Sequence, residues 1–145
     1  MSKVSIYLNF PGTTEAAFTF YKEVFGTEYS RPLMRMGDMP SPPGAPPMPE
    51  AEKNAILNVT LPILGGLELM ATDATGERAK SHVLGTNFSI NLQPDTRLEA
   101  KRLFEALSAG GSDVMPLKDM FWGALWSSFV DKFGIRWMIN CEEKA

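Results

Sequence analysis

Residues 15–26 read Glu-Ala-Ala-Phe-Thr-Phe-Tyr-Lys-Glu-Val-Phe-Gly, and residues 99–110 read Glu-Ala-Lys-Arg-Leu-Phe-Glu-Ala-Leu-Ser-Ala-Gly. Glu15, Ala16, Phe20 and Gly26 therefore return as Glu99, Ala100, Phe104 and Gly110, each 84 residues further on. A second echo closes each half: Gly66-Leu67-Glu68-Leu69-Met70 against Gly134-Ile135-Arg136-Trp137-Met138, displaced by 68. Two long-separated copies of one supersecondary unit imply a duplicated fold with a pseudo-twofold axis. A site built between such halves takes side chains from equivalent strands of both.

Working outward from the first copy, Ala17, Phe20, Tyr21, Val24 and Phe25 mark one face of a helix, and Gly26 is its C-terminal signal. Thr13 or Thr14 caps its start. Before it, Val4, Ile6, Leu8 and Phe10 alternate with Ser5, Tyr7 and Asn9, the period of a half-buried strand. After it, residues 29–36 read as a second strand, Leu57, Val59 and Leu61 mark a third, and Gly65-Gly66 turns into a fourth over residues 67–71. In the second copy, residues 87–92 form a strand. Asp95 or Thr96 then caps a helix carrying Leu98, Leu103, Phe104 and Leu107, which ends at Gly110-Gly111. Strands follow near residues 113–117, 124–130 and 135–141. The order is β-α-β-β-β, repeated: a single domain over 1–145 made of module 1–72, linker 73–85 and module 86–145.

Composition narrows the function classes. At 145 residues the chain has enough apolar content for a real core. A net charge of −3 leaves no basic footprint, so nucleic acid is not an expected partner. Cys141 stands alone, which excludes an internal disulfide and suits a reducing compartment. Residues 1–10 alternate rather than run apolar, unlike a signal peptide or membrane span, so a cytoplasmic protein without membrane contact is expected. Six of the eleven prolines fall within residues 40–49, where neither a helix nor a central strand survives. That segment reads either as a lid over a site or as an exposed polyproline-like connector.

Strand alternation also divides the side chains into two faces. Val4, Ile6, Leu8, Leu67, Leu69, Phe88, Ile90, Leu92, Ile135, Trp137 and Ile139 form an apolar face for the helices. The opposite face carries Ser5, Tyr7 and Asn9; Asn58 and Thr60; Glu68 and Met70; Asn87, Ser89 and Asn91; Arg136, Met138 and Asn140. Trp126 and Ser128 join it by the repeat. Amides, methionines and aromatics with one acid and one base suit a mostly apolar pocket with a few placed polar groups, or else a partly buried dimer surface. Candidate ligand-binding residues are Tyr7, Asn9, Asn58, Glu68, Met70, Asn87, Ser89, Trp126, Arg136 and Met138. Glu68 and Arg136 occupy equivalent positions, so they form an ion pair across the pseudo-axis, or Arg136 receives a ligand anion. Met120, Phe121, Trp122 and Trp126 form either packing or a rim that stacks on a flat ligand.

The duplicated pattern resembles the vicinal oxygen chelate superfamily of glyoxalase I, bleomycin-resistance proteins and extradiol dioxygenases, in its PhnB-like branch. The resemblance is carried by residues 20–26, by Met36-Gly37-Asp38-Met39-Pro40 and by Leu69-Met70-Ala71-Thr72-Asp73-Ala74. It is strongest over Phe121-Trp122-Gly123-Ala124, Asp131-Lys132-Phe133-Gly134 and Trp137-Met138-Ile139-Asn140-Cys141. The resemblance implies an α+β fold in which two βαβββ modules form an open, cup-shaped mixed sheet with helices on the outer face, usually as a homodimer. In metal-dependent members the cup holds a divalent ion on His, Glu or Gln. Here the corresponding positions fall on Ser5 or Tyr7, Met70, Asn87 and Met138, none a usual ligand.

Glu68 adds one oxygen, and the sole histidine, His82, lies in the linker, so no metal and no cofactor is expected. Cys141 has only His82 to draw on as a base, and no G-x-S-x-G elbow occurs. PhnB-like sequences often carry a methyltransferase label. This chain has neither a glycine-rich strand-to-helix turn nor alternating β-α-β-α order, so the label is not read as an activity. Three readings follow. The first is a metal-free protein that binds an unidentified small molecule, comparable to the sequestering bleomycin-resistance members. The second is a glyoxalase- or dioxygenase-like enzyme with an atypical metal site, and the third a scaffold or regulatory dimer with a vestigial cup.

Overall fold

Parallel pairing decides where the first strand begins. In the computed structural model, which describes residues 1–145, β1 is Ile6–Phe10, because its partner offers no ladder earlier than Leu69, opposite Ile6. Val4 therefore lies outside the strand and is 82% exposed, not part of the apolar face expected for it. The chain divides into two units, Met1–Val83 and Leu84–Ala145.

Unit 1 continues with α1 (Thr14–Phe25), β2 (Met34–Arg35), α2 (Glu50–Lys53), β3 (Ile56–Pro62), β4 (Glu68–Asp73) and α3 (Glu77–Lys80). Its sheet runs β1-β4-β3-β2, parallel between β1 and β4 and antiparallel elsewhere. The expected strand over residues 29–36 shrinks to two residues. Pro32 has no N–H to donate, and Ser30 makes an isolated bond to the Thr60 carbonyl at 3.0 Å. Leu8, Ala71 and Val59 stand in one cross-strand row and Ile6, Leu69 and Leu61 in the next. Against this side α1 buries Ala17, Phe18, Tyr21 and Val24. The buried stripe thus centres on Phe18, with Phe20 and Phe25 only half-buried at its margins.

The start of α1 is held from a distance. Thr13 precedes it without a side-chain cap, and Asp73, at the end of β4, accepts the Thr14 N–H at 3.0 Å and the Ile56 N–H at 2.8 Å. A buried carboxylate at a helix N-terminus opposes the positive end of the helix dipole and ties β3, β4 and α1 together. At the other end Gly26 is left-handed (φ 64°) and returns its N–H to the Lys22 carbonyl at 2.9 Å. The proline-rich residues 40–47 are exposed and carry no helix or strand.

Unit 2 contains β5 (Ile90–Leu92), α4 (Arg97–Ser108), β6 (Ser112–Asp119), β7 (Leu125–Val130) and β8 (Arg136–Cys141), in sheet order β5-β8-β7-β6. This repeats the order of unit 1, and neither sheet closes into a barrel. β5 starts at Ile90, opposite Trp137, because β8 itself starts at Arg136. Asn87, Phe88 and Ser89 therefore precede the strand, and Phe88 is exposed rather than core. Thr96 resolves the cap: its hydroxyl oxygen accepts the Glu99 N–H at 3.1 Å. Ala100, Leu103 and Leu107 face the sheet, while Leu98, two positions before Ala100, is turned to solvent. Beneath α4 lie Leu125, Ser127 and Phe129 of β7 and Trp137, Ile139 and Cys141 of β8, all buried. The β7–β8 turn is fixed by buried Asp131, which accepts from the Phe133 and Ile135 N–H groups and from the Trp137 indole N–H at 2.8–3.0 Å.

Candidate functional site

Each sheet has a second face that no helix of its own unit covers. In unit 1, register places Tyr7, Met70 and Thr60 in one row across β1, β4 and β3. Asn9 and Thr72 stand in the next row, with Asn58 two positions along β3 from Thr60. Ser5 donates its hydroxyl to the Met70 sulfur at 3.4 Å. Tyr7 is 49% exposed, whereas Thr60 is fully buried and its hydroxyl has no hydrogen-bond partner. The neighbouring Thr72 hydroxyl, by contrast, donates to the Ile56 carbonyl at 3.1 Å.

Glu68 closes one end of this face. Lys3 reaches its carboxylate at 2.5 Å and Ser30 donates at 3.5 Å. The Lys3 hydrogen bond, with the charges of Lys3 and Arg31, holds Glu68 below the usual carboxylate range. Glu68 is thus paired within its own unit, because the N-terminal segment brings Lys3 to the acid. At the other end, Arg78 donates to the Asn9 side-chain oxygen at 3.4 Å, and His82 Nε2 lies 2.9 Å from the Asn9 carbonyl. A carbonyl only accepts, so Nε2 carries the proton there. His82 is thereby committed to β1.

In unit 2, Asn91, Met138 and Ser128 share a row across β5, β8 and β7; Asn140 and Trp126 share the next, and Arg136 and Val130 the third. Two bulges in β6 bring Met115 opposite Ser128 and Lys118 opposite Trp126. Pro116, without an N–H, lies between those two positions, and Asp113 takes a positive φ of 49° in the other irregular stretch. Bulges re-aim side chains. The Trp122 indole donates to the Asn140 side-chain oxygen at 3.4 Å and meets Trp126 edge-on at 6.4 Å between ring centroids, with Phe121 beyond it. Phe121 is 96% and Trp122 49% exposed, so these rings lie at the surface of the unit and not in its core. Arg136 is half-buried, and its guanidinium has neither a hydrogen bond nor an ion pair.

Of the residues expected on these faces, Tyr7, Asn9, Asn58, Glu68 and Met70 lie together in unit 1, and Trp126, Arg136 and Met138 lie together in unit 2. Asn87 and Ser89 sit in the segment before β5. Met115 and Lys118 escaped the sequence because their placement depends on the bulges. Pro116 inside an apparent strand was the one available signal.

Duplicated βαβββ units, each with one helix-packed and one helix-free sheet face, define the class. The chain belongs to the glyoxalase/bleomycin resistance protein/dioxygenase superfamily, which its residues 7–139 match. Among individual proteins it is 30% identical to protein YjdN of Escherichia coli K12, over 94% of this chain and 93% of that one. The solved structure of PA1353 from Pseudomonas aeruginosa has a TM-score of 0.78 and 34% identity, covering 98% of both chains. The PhnB protein from Bacillus cereus has a TM-score of 0.74 at 22% identity, covering 97% of this chain and 99% of that one, a likeness of fold.

The divalent ion of the metal-dependent members does not fit the residues present. Ser5, Tyr7, Met70, Asn87 and Met138 offer no imidazole or carboxylate, the Met70 sulfur already takes the Ser5 hydroxyl, and Glu68 is paired with Lys3. Within either unit no three His, Cys, Asp or Glu side chains come together as a ligand set. Cys141 is fully buried beneath α4. No helix is long and apolar enough to cross a membrane.

Proposed function

We propose that the chain is a small-molecule-binding protein in which the helix-free sheet face of each unit can receive an organic ligand without a resident metal ion. The observation that carries this reading is the row of Tyr7, Met70 and Thr60: a half-exposed aromatic ring beside an adaptable thioether, with a buried hydroxyl that has no protein partner. Buried polar groups are nearly always paired, so the Thr60 hydroxyl, like that of Thr14 at the start of α1, lacks the partner it needs. On the unit 1 face Tyr7 supplies flat apolar contact, Met70 a polarizable floor, and Asn9 and Asn58 directional hydrogen bonds; on the unit 2 face Trp126 and Met138 supply the ring and the floor.

A thermal-shift screen of small aromatic and polar organic compounds tests this. Saturable ligands are expected to raise the melting temperature. Tyr7→Ala or Trp126→Ala should abolish the rise for ligands of its own face while leaving the ligand-free transition nearly unmoved. A broad collection that never shifts the transition would sink the proposal.

A further inference from the structure

We infer that the helix-free face of unit 2 selects elongated, flat-ended anions, with the ring at Trp122 and Trp126 and the anionic group at Arg136. The inference rests on the small-molecule reading above and adds the ligand's chemical class. Three observations point the same way. Arg136 presents a half-buried guanidinium that nothing in the chain pairs, although its planar fork suits a carboxylate, sulfonate or phosphate. Lys118, brought beside Trp126 by the β6 bulge, has no ion pair either, and no carboxylate occupies an in-register position on this face. The face thus carries two uncompensated positive charges on a chain whose net charge is −3.

The third observation gives the face a direction. Beyond Asn140, at the end of β8, lies a cavity of about 170 Å³ lined by Gln93, Pro94, Asp95, Asn140, Glu142 and Glu143. Asp95 and Glu142 there offset the exposed Lys118 beside Trp126, and Glu143 is held on the Arg97 N–H. Arg136, two rows away, is half-buried with no acid opposite it and is the favourable terminus for an anion. Four residues of strand separate Arg136 from Asn140, about 13 Å at roughly 3.3 Å per residue. Met138, Ser128 and Asn91 floor the space between. A ring on the tryptophans and an anion at Arg136 therefore need a ligand of about that length. The Asn91 side chain, exposed beside Met138, serves any polar atom midway.

Three probes of one shape and different charge test the inference: 1-pyrenebutyrate, 1-pyrenebutanol and 1-pyrenebutylamine, titrated by tryptophan-to-pyrene energy transfer. The acid is expected to bind about tenfold more tightly than the alcohol, with the amine weakest and the preference shrinking as salt rises. Arg136→Gln should bring acid and alcohol within about twofold, and Arg136→Lys should keep an intermediate preference, since it retains charge and loses the fork. Trp126→Ala should weaken all the probes together. Equal binding of acid and alcohol by the native chain, or a preference that survives Arg136→Gln, overturns the inference. If that equal binding is also lost on Trp126→Ala, the small-molecule reading stands while the anion selectivity falls. Absence of binding by every probe overturns both.

Discussion

Replacing Thr60 by valine should make this protein more stable. The side chain is fully buried and its hydroxyl unpaired, and an unpaired buried hydroxyl costs about 1–3 kcal/mol on mutational scales. Valine keeps the branched shape and exchanges the hydroxyl for a methyl group, so a gain of about 1–2 kcal/mol is expected. With an unfolding entropy near 2.1 cal/mol/K per residue, that gain corresponds to a melting temperature about 3–6 °C higher. Thr72→Val is the internal control, on the same face and also buried. Its hydroxyl donates to the Ile56 carbonyl at 3.1 Å, so the same change should cost about 1 kcal/mol. Urea unfolding of both variants, monitored by circular dichroism, reads the two signs directly. If Thr60→Val lowers the midpoint as Thr72→Val does, the Thr60 hydroxyl is satisfied in the folded protein. The reading of that hydroxyl as unpaired then fails.

Two further predictions concern the fold itself. A Cβ added at Gly111 would stand 2.1 Å from the Val130 carbonyl oxygen, a backbone atom that cannot swing aside, so Gly111→Ala should cost about 3 kcal/mol or more. At neighbouring Gly110 the nearest atom is the Lys132 Cβ at 3.6 Å and only the φ of 75° resists, so alanine there should cost about 1 kcal/mol; equal urea midpoints for the two variants would contradict the packing at β7. Acid should weaken both units. Hydrogen bonds from Arg35, Lys3, Arg102 and Arg97 hold Glu15, Glu68, Glu99 and Asp119 below their ordinary values. Groups depressed in this way contribute stability above their unfolded values and lose it as the pH falls through the folded ones. Urea midpoints should therefore be level near neutrality and drop once the pH passes below the ordinary glutamate value of 4.5; a midpoint still level at pH 3 would contradict the assignment.

What the sequence reveals and what it conceals divide along a physical line. Periodicity and the 84- and 68-residue echoes identify the repeated βαβββ unit, and alternation assigns Tyr7, Met70, Trp126, Arg136 and Met138 to the faces on which they stand. These are local properties of a strand. Strand ends are not, because a strand stops where its partner stops. Val4 and Phe88 alternate correctly but have no ladder opposite them. The Arg31-Pro32 interruption likewise reduces a well-patterned stretch to the two residues of β2. Partners that depend on long-range closure were equally hidden. Glu68 is claimed by Lys3, 65 positions earlier in the chain, and the bulges that turn Met115 and Lys118 onto the unit 2 face leave only Pro116 as a trace.

On the proposal above, the helix-free sheet faces hold an organic ligand and not a divalent ion. A non-denaturing mass spectrum of the freshly isolated chain, repeated after incubation with excess zinc, nickel and manganese and then desalting, tests it most directly. No metal should be retained at either stage, and the native chain should carry a small organic adduct that Trp126→Ala removes. One divalent ion retained per chain would contradict the proposal.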